Sequence, residues 1–142
     1  MQKLESMQFH HIGFAVRSFE EACPIFEALG AVFFHCSEDT ERNLKFRFAK
    51  VGEIVLELVS PCDATVPCAV TNYIKKQSCT PYHICYETDD LESELKRLKG
   101  VGFKQMGKTI TSKLYGYEAI GVFLYSKEIG LIEVVMECGV DE

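Results

Sequence analysis

Along this chain the spacing of apolar residues changes from two to three or four, and it does so twice. "FHHIGFAV" (residues 9–16) carries the alternation of a β-strand, in which neighbouring side chains point to opposite faces. Ser18 followed by Glu21 forms a capping box. Ala22, Ile25, Phe26 and Leu29 then follow at helical spacing as the expected buried stripe, and Gly30 stops the helix. Pro24 falls past the first turn and is expected to kink it. Strand-like runs come next at 31–36, 44–50 and 53–60. The second half repeats the order. "YHICYET" (82–88) reads as a strand, and Asp89 or Asp90 caps a helix striped by Leu91, Leu95 and Leu98 and ended by Gly100 and Gly102. Strands are expected at 101–106, 118–125 and 130–137, with "KTITSKLYGYEA" (108–119) as a long loop.

Residues 10–30 lie over 82–102 without a gap at an offset of 72 residues, His11 on His83, Phe19 on Leu91, Glu20 on Glu92 and Gly30 on Gly102. Each half reads βαβββ. The predicted architecture is α+β: two βαβββ modules pairing into a curved, mostly antiparallel eight-stranded sheet, with a cleft on its concave face. One domain is expected over 1–142, with module one at 8–60, a connector at 61–80 and module two at 81–137. Pro61, Pro67 and Pro81 lie in or just after the connector, with one helical turn expected near 68–76.

The last strands of the modules also correspond. "VLELV" (55–59) lies over "LIEVV" (131–135), which aligns Glu57 with Glu133. A carboxylate amid apolar neighbours is costly to bury unless it is paired or bound to a metal, and two in equivalent places imply a shared purpose. Strand parity puts His11 with Gly13 and Ala15, His83 with Cys85 and Glu87, and His10 on the opposite face from His11, toward the helix side or an edge. If the modules pair about a pseudo-two-fold axis, His11, Glu57, His83 and Glu133 converge on one surface. Two imidazoles and two carboxylates suit one divalent ion of Zn, Ni, Co, Fe or Mn better than Mg²⁺ or Ca²⁺. In the run 44–50, Lys45 and Arg47 alternate with Phe46 and Phe48. The phenylalanines are expected to pack on a helix, leaving the cations to hold a substrate carboxylate. Tyr115 and Tyr117 flank Gly116 and are candidates to line the pocket or form a lid.

Composition narrows the partners. The net charge is −6, which speaks against nucleic acid and anionic membrane surfaces. Neither a membrane-spanning run nor the apolar core of a signal peptide is present in the sequence, so a cytoplasmic location is expected. The seven cysteines include no C-x-x-C pair and read as reduced thiols.

"HHIGFAV…YHICYETDDLESEL…GLIEVVME" resembles the vicinal oxygen chelate superfamily, in the branch that holds glyoxalase I (lactoylglutathione lyase) and methylmalonyl-CoA epimerase. The resemblance spans residues 8–137 and matches the family's metal positions at His11, Glu57, His83 and Glu133. It implies a divalent-metal-dependent lyase or isomerase of the glyoxalase I type that moves a proton next to a carbonyl through a metal-chelated enolate. Glu133 is then the general base and Glu57 the second catalytic carboxylate. A methylmalonyl-CoA epimerase-like reaction is the alternative, although residues 108–119 and Tyr125-Ser126-Lys127 depart from the epimerases' Gly-rich loop and His-Pro-Lys strand end. A further alternative is a non-catalytic, resistance-type binding protein. The expected partner is a small molecule, anionic or a thioester or hemithioacetal, and the expected assembly is a homodimer.

Overall fold

The computed structural model describes residues 7–138. Contacts divide the chain into a first unit, His11–Tyr82, and a second unit, His83–Glu142 together with Met1–His10. The repeat seen in the sequence therefore has a physical counterpart, and each unit is described in turn.

The first unit contains most of β1 (Gln8–Val16), then α1 (Phe19–Ala28), β2 (Val32–Asp39), β3 (Leu44–Val51), β4 (Ile54–Pro61) and α2 (Thr71–Lys76). Its strands lie in the order β2-β3-β4-β1, with β1 parallel to β4 and the other two pairs antiparallel. The second unit contains most of β5 (Cys79–Glu87), then α3 (Leu91–Gly100), β6 (Lys104–Leu114), β7 (Tyr117–Ser126) and β8 (Gly130–Glu137), in the order β5-β8-β7-β6. Again the first strand is parallel to the last, and the other pairs are antiparallel. Both units are thus βαβββ, as expected. None of the described helices is long and apolar enough to cross a membrane.

Helix ends repeat between the units as well. The Ser18 hydroxyl accepts from the Glu21 N–H at 3.2 Å, and the Asp90 carboxylate accepts from the Ser93 N–H at 3.2 Å. Both helices stop in the same hydrogen-bonded motif. Gly30 N–H donates to Glu27 and Ala31 N–H to Phe26 in one, and Gly102 N–H donates to Lys99 and Phe103 N–H to Leu98 in the other. Gly30 and Gly102 sit at φ +103° and +109°, the left-handed region in which a side chain is strained.

The strands of each unit bury one face under its helix. In the first unit Ile12, Phe14, Val16, Leu56 and Leu58 pack against Phe19, Cys23 and Phe26 of α1. In the second unit Val122, Leu124, Ile132 and Val134 pack against Leu91, Leu95 and Leu98 of α3. Full burial of side chains of this size contributes about 1.5–3 kcal/mol each. Cys68, Val70 and Ile74, in the connector and α2, cover part of the other face of the first unit at Ala15, Val59 and Phe46.

Three local expectations change. The buried stripe of α1 is Phe19, Ala22, Cys23 and Phe26, while Ile25 and Leu29 are 64% and 69% exposed. The capping residue sets the phase of the helix, and the apolar spacing alone was satisfied by two overlapping stripes. Residues 108–119 are not a loop, because β6 runs to Leu114 and returns through Tyr115 and Gly116 into β7. The alternating Thr-Ile-Thr-Ser run supplies the β-propensity for this. Pro24 lies inside α1, which continues unbroken as α-helix from Phe19 to Ala28. Pro24 removes the N–H that would reach the Glu20 carbonyl. Pro24→Ala is therefore expected to stabilise the chain by about 2 kcal/mol, the helix-interior cost of proline less its benefit in the unfolded state. Urea melts of the two proteins measure this, and an unchanged midpoint would mean that the helix accommodates proline without loss.

Candidate functional site

The face of each unit's strands turned away from its helix carries a buried histidine and a buried glutamate. In the first unit, alternation from His11 to Val16 puts Ile12, Phe14 and Val16 under α1 and leaves His11, Gly13 and Ala15 on the other face. Gly13 pairs with Glu57 across the parallel β1–β4 ladder, which brings Glu57 to the same face. The His11 Nε2 lies 3.2 Å from Glu57 Oε1, with His11 fully buried and Glu57 7% exposed.

The second unit repeats this arrangement. Cys85 pairs with Glu133 across the parallel β5–β8 ladder. His83 Nε2 lies 3.3 Å from Glu133 Oε1, and both residues are 4% exposed. Two atoms each about 2.1 Å from one divalent ion, at angles of 90–109°, are about 3.0–3.4 Å apart. Both pairs have the separation that neighbouring ligand atoms of one ion need, and each offers one imidazole nitrogen and one carboxylate oxygen.

A phenylalanine orients each imidazole. Phe48 pairs with Glu57 across β3–β4 and meets His11 edge-on, at 6.0 Å between centroids and 86°. Phe123 pairs with Glu133 across β7–β8 and meets His83 edge-on, at 5.3 Å and 85°. The sequence comparison missed this correspondence because the two hairpins differ in length by one residue. Counting back from each glutamate through its antiparallel hairpin would have found it. Gly121 stands beside Glu133, where a Cβ would come within 3.1 Å of Glu133 Oε2 and Val135 Cγ1.

His10 is not on the helix side. It belongs with the second unit, where its Nε2 is hydrogen-bonded to the Tyr117 hydroxyl and lies 3.3 Å from that of Tyr115, whose ring stacks on the imidazole at 5.5 Å. Alternation along β7 puts Tyr117 with Ala119, Gly121 and Phe123 on the Glu133 face. His10 and His11 are consecutive buried residues of β1, and contacts place His10 with the second unit and His11 with the first. Tyr115 and Tyr117 are thus the two ends of a tight turn packed on His10. Burial raises both phenols, that of Tyr117 the more.

Lys45 and Arg47 require a correction too. Register pairs Lys45 with Ser60 and Arg47 with Leu58, on the helix face. Their charged ends lie over the Phe19 ring at 5.4 and 4.8 Å, and Arg47 donates to the Cys23 sulfur at 3.4 Å. The phenylalanines take the opposite face, Phe48 against His11 and Phe46 under the connector. The expectation inverted the strand because it gave the more apolar side to the helix, whereas long cationic stems pack on an aromatic ring with their charges at the rim.

Comparison with known proteins adds the family. Residues 10–119 match the model of the Glyoxalase/Bleomycin resistance protein/Dioxygenase superfamily. The uncharacterized protein YqjC of Bacillus subtilis (strain 168) is 32% identical over 89 residues, a match that spans 62% of each chain. Among solved structures, hypothetical protein BH1468 from Bacillus halodurans C-125 superposes with a TM-score of 0.81 at 21% identity, covering 97% of this chain and 99% of that one. Methylmalonyl-CoA epimerase from Mycobacterium tuberculosis gives 0.75 at 18% identity, covering 93% and 89%. A Streptomyces coelicolor methylmalonyl-CoA epimerase variant in complex with 2-nitronate-propionyl-CoA gives 0.76 at 20% identity, covering 96% and 99%. These likenesses show the fold.

Glu87, two residues along β5 from Cys85, shares the Glu133 face, and its carboxyl is pushed up by burial and then by Glu137. Because the folded chain raises this pKa, ionised Glu87 opposes folding above its folded pKa and costs nothing below about 4.5, its ordinary value. Glu87→Gln is expected to be more stable than the parent at pH 8, by at most about 1 kcal/mol after solvent screening. The gain should vanish by pH 4, as read from denaturant melts at both values. A gain that does not change with pH would assign the effect to packing instead.

Proposed function

The chain belongs to the glyoxalase/bleomycin resistance protein/dioxygenase superfamily, and on that premise we propose that it is a metal-dependent enzyme that moves a proton next to a carbonyl. The proposed ligands of one divalent ion are His11, Glu57, His83 and Glu133. The observation that carries this reading is the duplication of a buried imidazole–carboxylate pair, at 3.2 and 3.3 Å, on matching strands of the two units. A single buried pair is a common structural ion pair. The repetition of the pair, its ring support and its spacing favours a shared ligand. Two nitrogens and two oxygens suit Zn, Ni, Co, Fe or Mn. Such an ion, when bound, supplies Lewis-acid polarisation of the substrate carbonyl.

The protein's own part is to hold and move the proton. Glu133 is assigned as the base that takes it from the carbon beside the carbonyl, and Glu57 as the carboxylate that stays a ligand. Proton return to either face of the same carbon gives epimerisation, and the likeness to solved methylmalonyl-CoA epimerases supports that outcome on an acyl thioester. Return to the neighbouring carbon gives the glyoxalase I-type isomerisation of a hemithioacetal with the same residues. A cytoplasmic homodimer remains the expected setting.

Two measurements test the proposal. Ni²⁺, Co²⁺ or Zn²⁺ should bind at about one per chain and raise the melting temperature. His11→Ala should abolish that binding, and His10→Ala should leave it intact. Equal loss in both variants, or no binding by the parent, would remove the site. Solvent deuterium incorporation should then be followed on a panel of acyl-CoA thioesters and α-ketoaldehyde hemithioacetals. At matched metal occupancy Glu133→Gln should slow exchange by roughly 10²–10⁴-fold, the usual size of a general-base contribution, and Glu57→Gln should slow it less. The reverse order would exchange the two roles. Full exchange by both variants would take the carboxylates out of proton transfer.

A further inference from the structure

We infer that the first unit carries an anion subsite, formed by His35, Ser37 and Arg42, which holds a carboxylate at the end of the substrate remote from the reacting carbonyl. The inference rests on the metal reading above and adds the substrate class.

It starts from an irregularity in β2. Phe33 pairs with Ala49 and packs with the core under α1. The register then shifts, so that His35 pairs with Phe48, Ser37 with Phe46 and Asp39 with Leu44. In an unbroken strand Phe33 and His35 would share a face. The extra residue, Phe34, instead sends His35 and Ser37 to the face of Phe48 and Glu57. Re-aiming side chains is what such bulges do, and here they re-aim two polar ones away from the core.

The polar groups delivered there are donors without work inside the fold. The His35 ring lies 6.0 Å from that of Phe48, and neither ring nitrogen bonds to a described residue. The Ser37 hydroxyl is buried and has no hydrogen-bond partner among the described residues. That state costs stability unless a ligand completes it. The Arg42 guanidinium stands over Phe46, the register partner of Ser37, at 5.8 Å. Its Nε donates to Asp39 at 2.7 Å, which holds it in place, and a guanidinium has four further N–H donors. Asp39 is the acidic group on this row. Arg42 depresses its carboxyl, so part of the cation's charge is already matched, and His35 and Ser37 are needed beside it.

Spacing defines the ligand. His35, Phe48, Glu57 and Gly13 form one row across β2, β3, β4 and β1. His35 therefore lies two strand spacings from Glu57, about 10 Å between Cα atoms. A fitting substrate has chelating oxygens at the His11–Glu57 pair, a short apolar spacer over the Phe48 ring, and a carboxylate on β2. This row takes over the role that the sequence suggested for Lys45 and Arg47, which face α1.

The probes are hydroxamates on Ni²⁺-loaded protein, with binding measured by titration calorimetry. Acetohydroxamate chelates and has no tail. Glutaric monohydroxamate adds three methylenes and a carboxylate, and its methyl ester keeps the spacer without the charge. The free acid should bind at least 10-fold more tightly than the ester, the increment of one charge-assisted bond. His35→Ala and Arg42→Gln should each erase most of that increment, and His35→Gln, which keeps a donor, should retain part of it. Acetohydroxamate should bind all four proteins alike, which confirms their fold and metal content. An acid no tighter than its ester in the parent, or an increment that survives both substitutions, would overturn the subsite. A parent that binds neither Ni²⁺ nor acetohydroxamate would overturn the metal reading, and this inference with it.

Discussion

A carboxylate at the centre of a buried strand must be matched by a partner at hydrogen-bond distance, because its desolvation otherwise costs several kcal/mol. Glu57 and Glu133 are both in that position, and the order of strands in each unit follows from satisfying it. The partner histidine is on the first strand of the unit and the glutamate on the last. They meet because those two strands lie side by side and parallel. Parallel neighbours need a crossover, and the intervening helix and two-stranded excursion provide one. The βαβββ order is in this sense the chain path that brings each imidazole to its carboxylate.

Around those pairs the two units agree where geometry is demanding and differ where it is not. Phe48 and Phe123 meet their histidines at nearly the same angle. Both helices end on a left-handed glycine with the same pair of backbone hydrogen bonds. Beyond the pairs the likeness stops. The first unit's free face carries a bulged β2 with His35, Ser37 and an arginine over Phe46. The second unit's carries Glu87, Glu137 and two tyrosines packed on His10. A duplicated module can keep the geometry of its imidazole–carboxylate pair and still acquire two unlike surroundings, one donating and one acidic.

The cations of β3 show how one strand serves two purposes. Lys45 and Arg47 lay their stems along Phe19 and keep their charges at the rim of the α1 interface, so they stabilise packing. Phe48, one residue on, packs edge-on against the buried imidazole of His11. Polarity alone therefore does not tell which face of a strand carries function.

Alternation, capping residues and glycine stops were enough to read the βαβββ repeat, the starts of both helices at Ser18 and at Asp89 or Asp90, and the equivalence of His11 with His83 and Glu57 with Glu133. These are local signals whose physics acts within a few residues, and a duplication doubles each of them. Tertiary structure decided what depends on register between strands. It put Lys45 and Arg47 under α1, turned residues 108–119 into a hairpin, and moved His10 into the second unit. It also shifted β2 by one residue at Phe34, so that His35 faces Glu57. A one-residue change of register reverses every side chain beyond it. That choice is made by packing against partners distant in sequence, and no spacing within the strand itself records it.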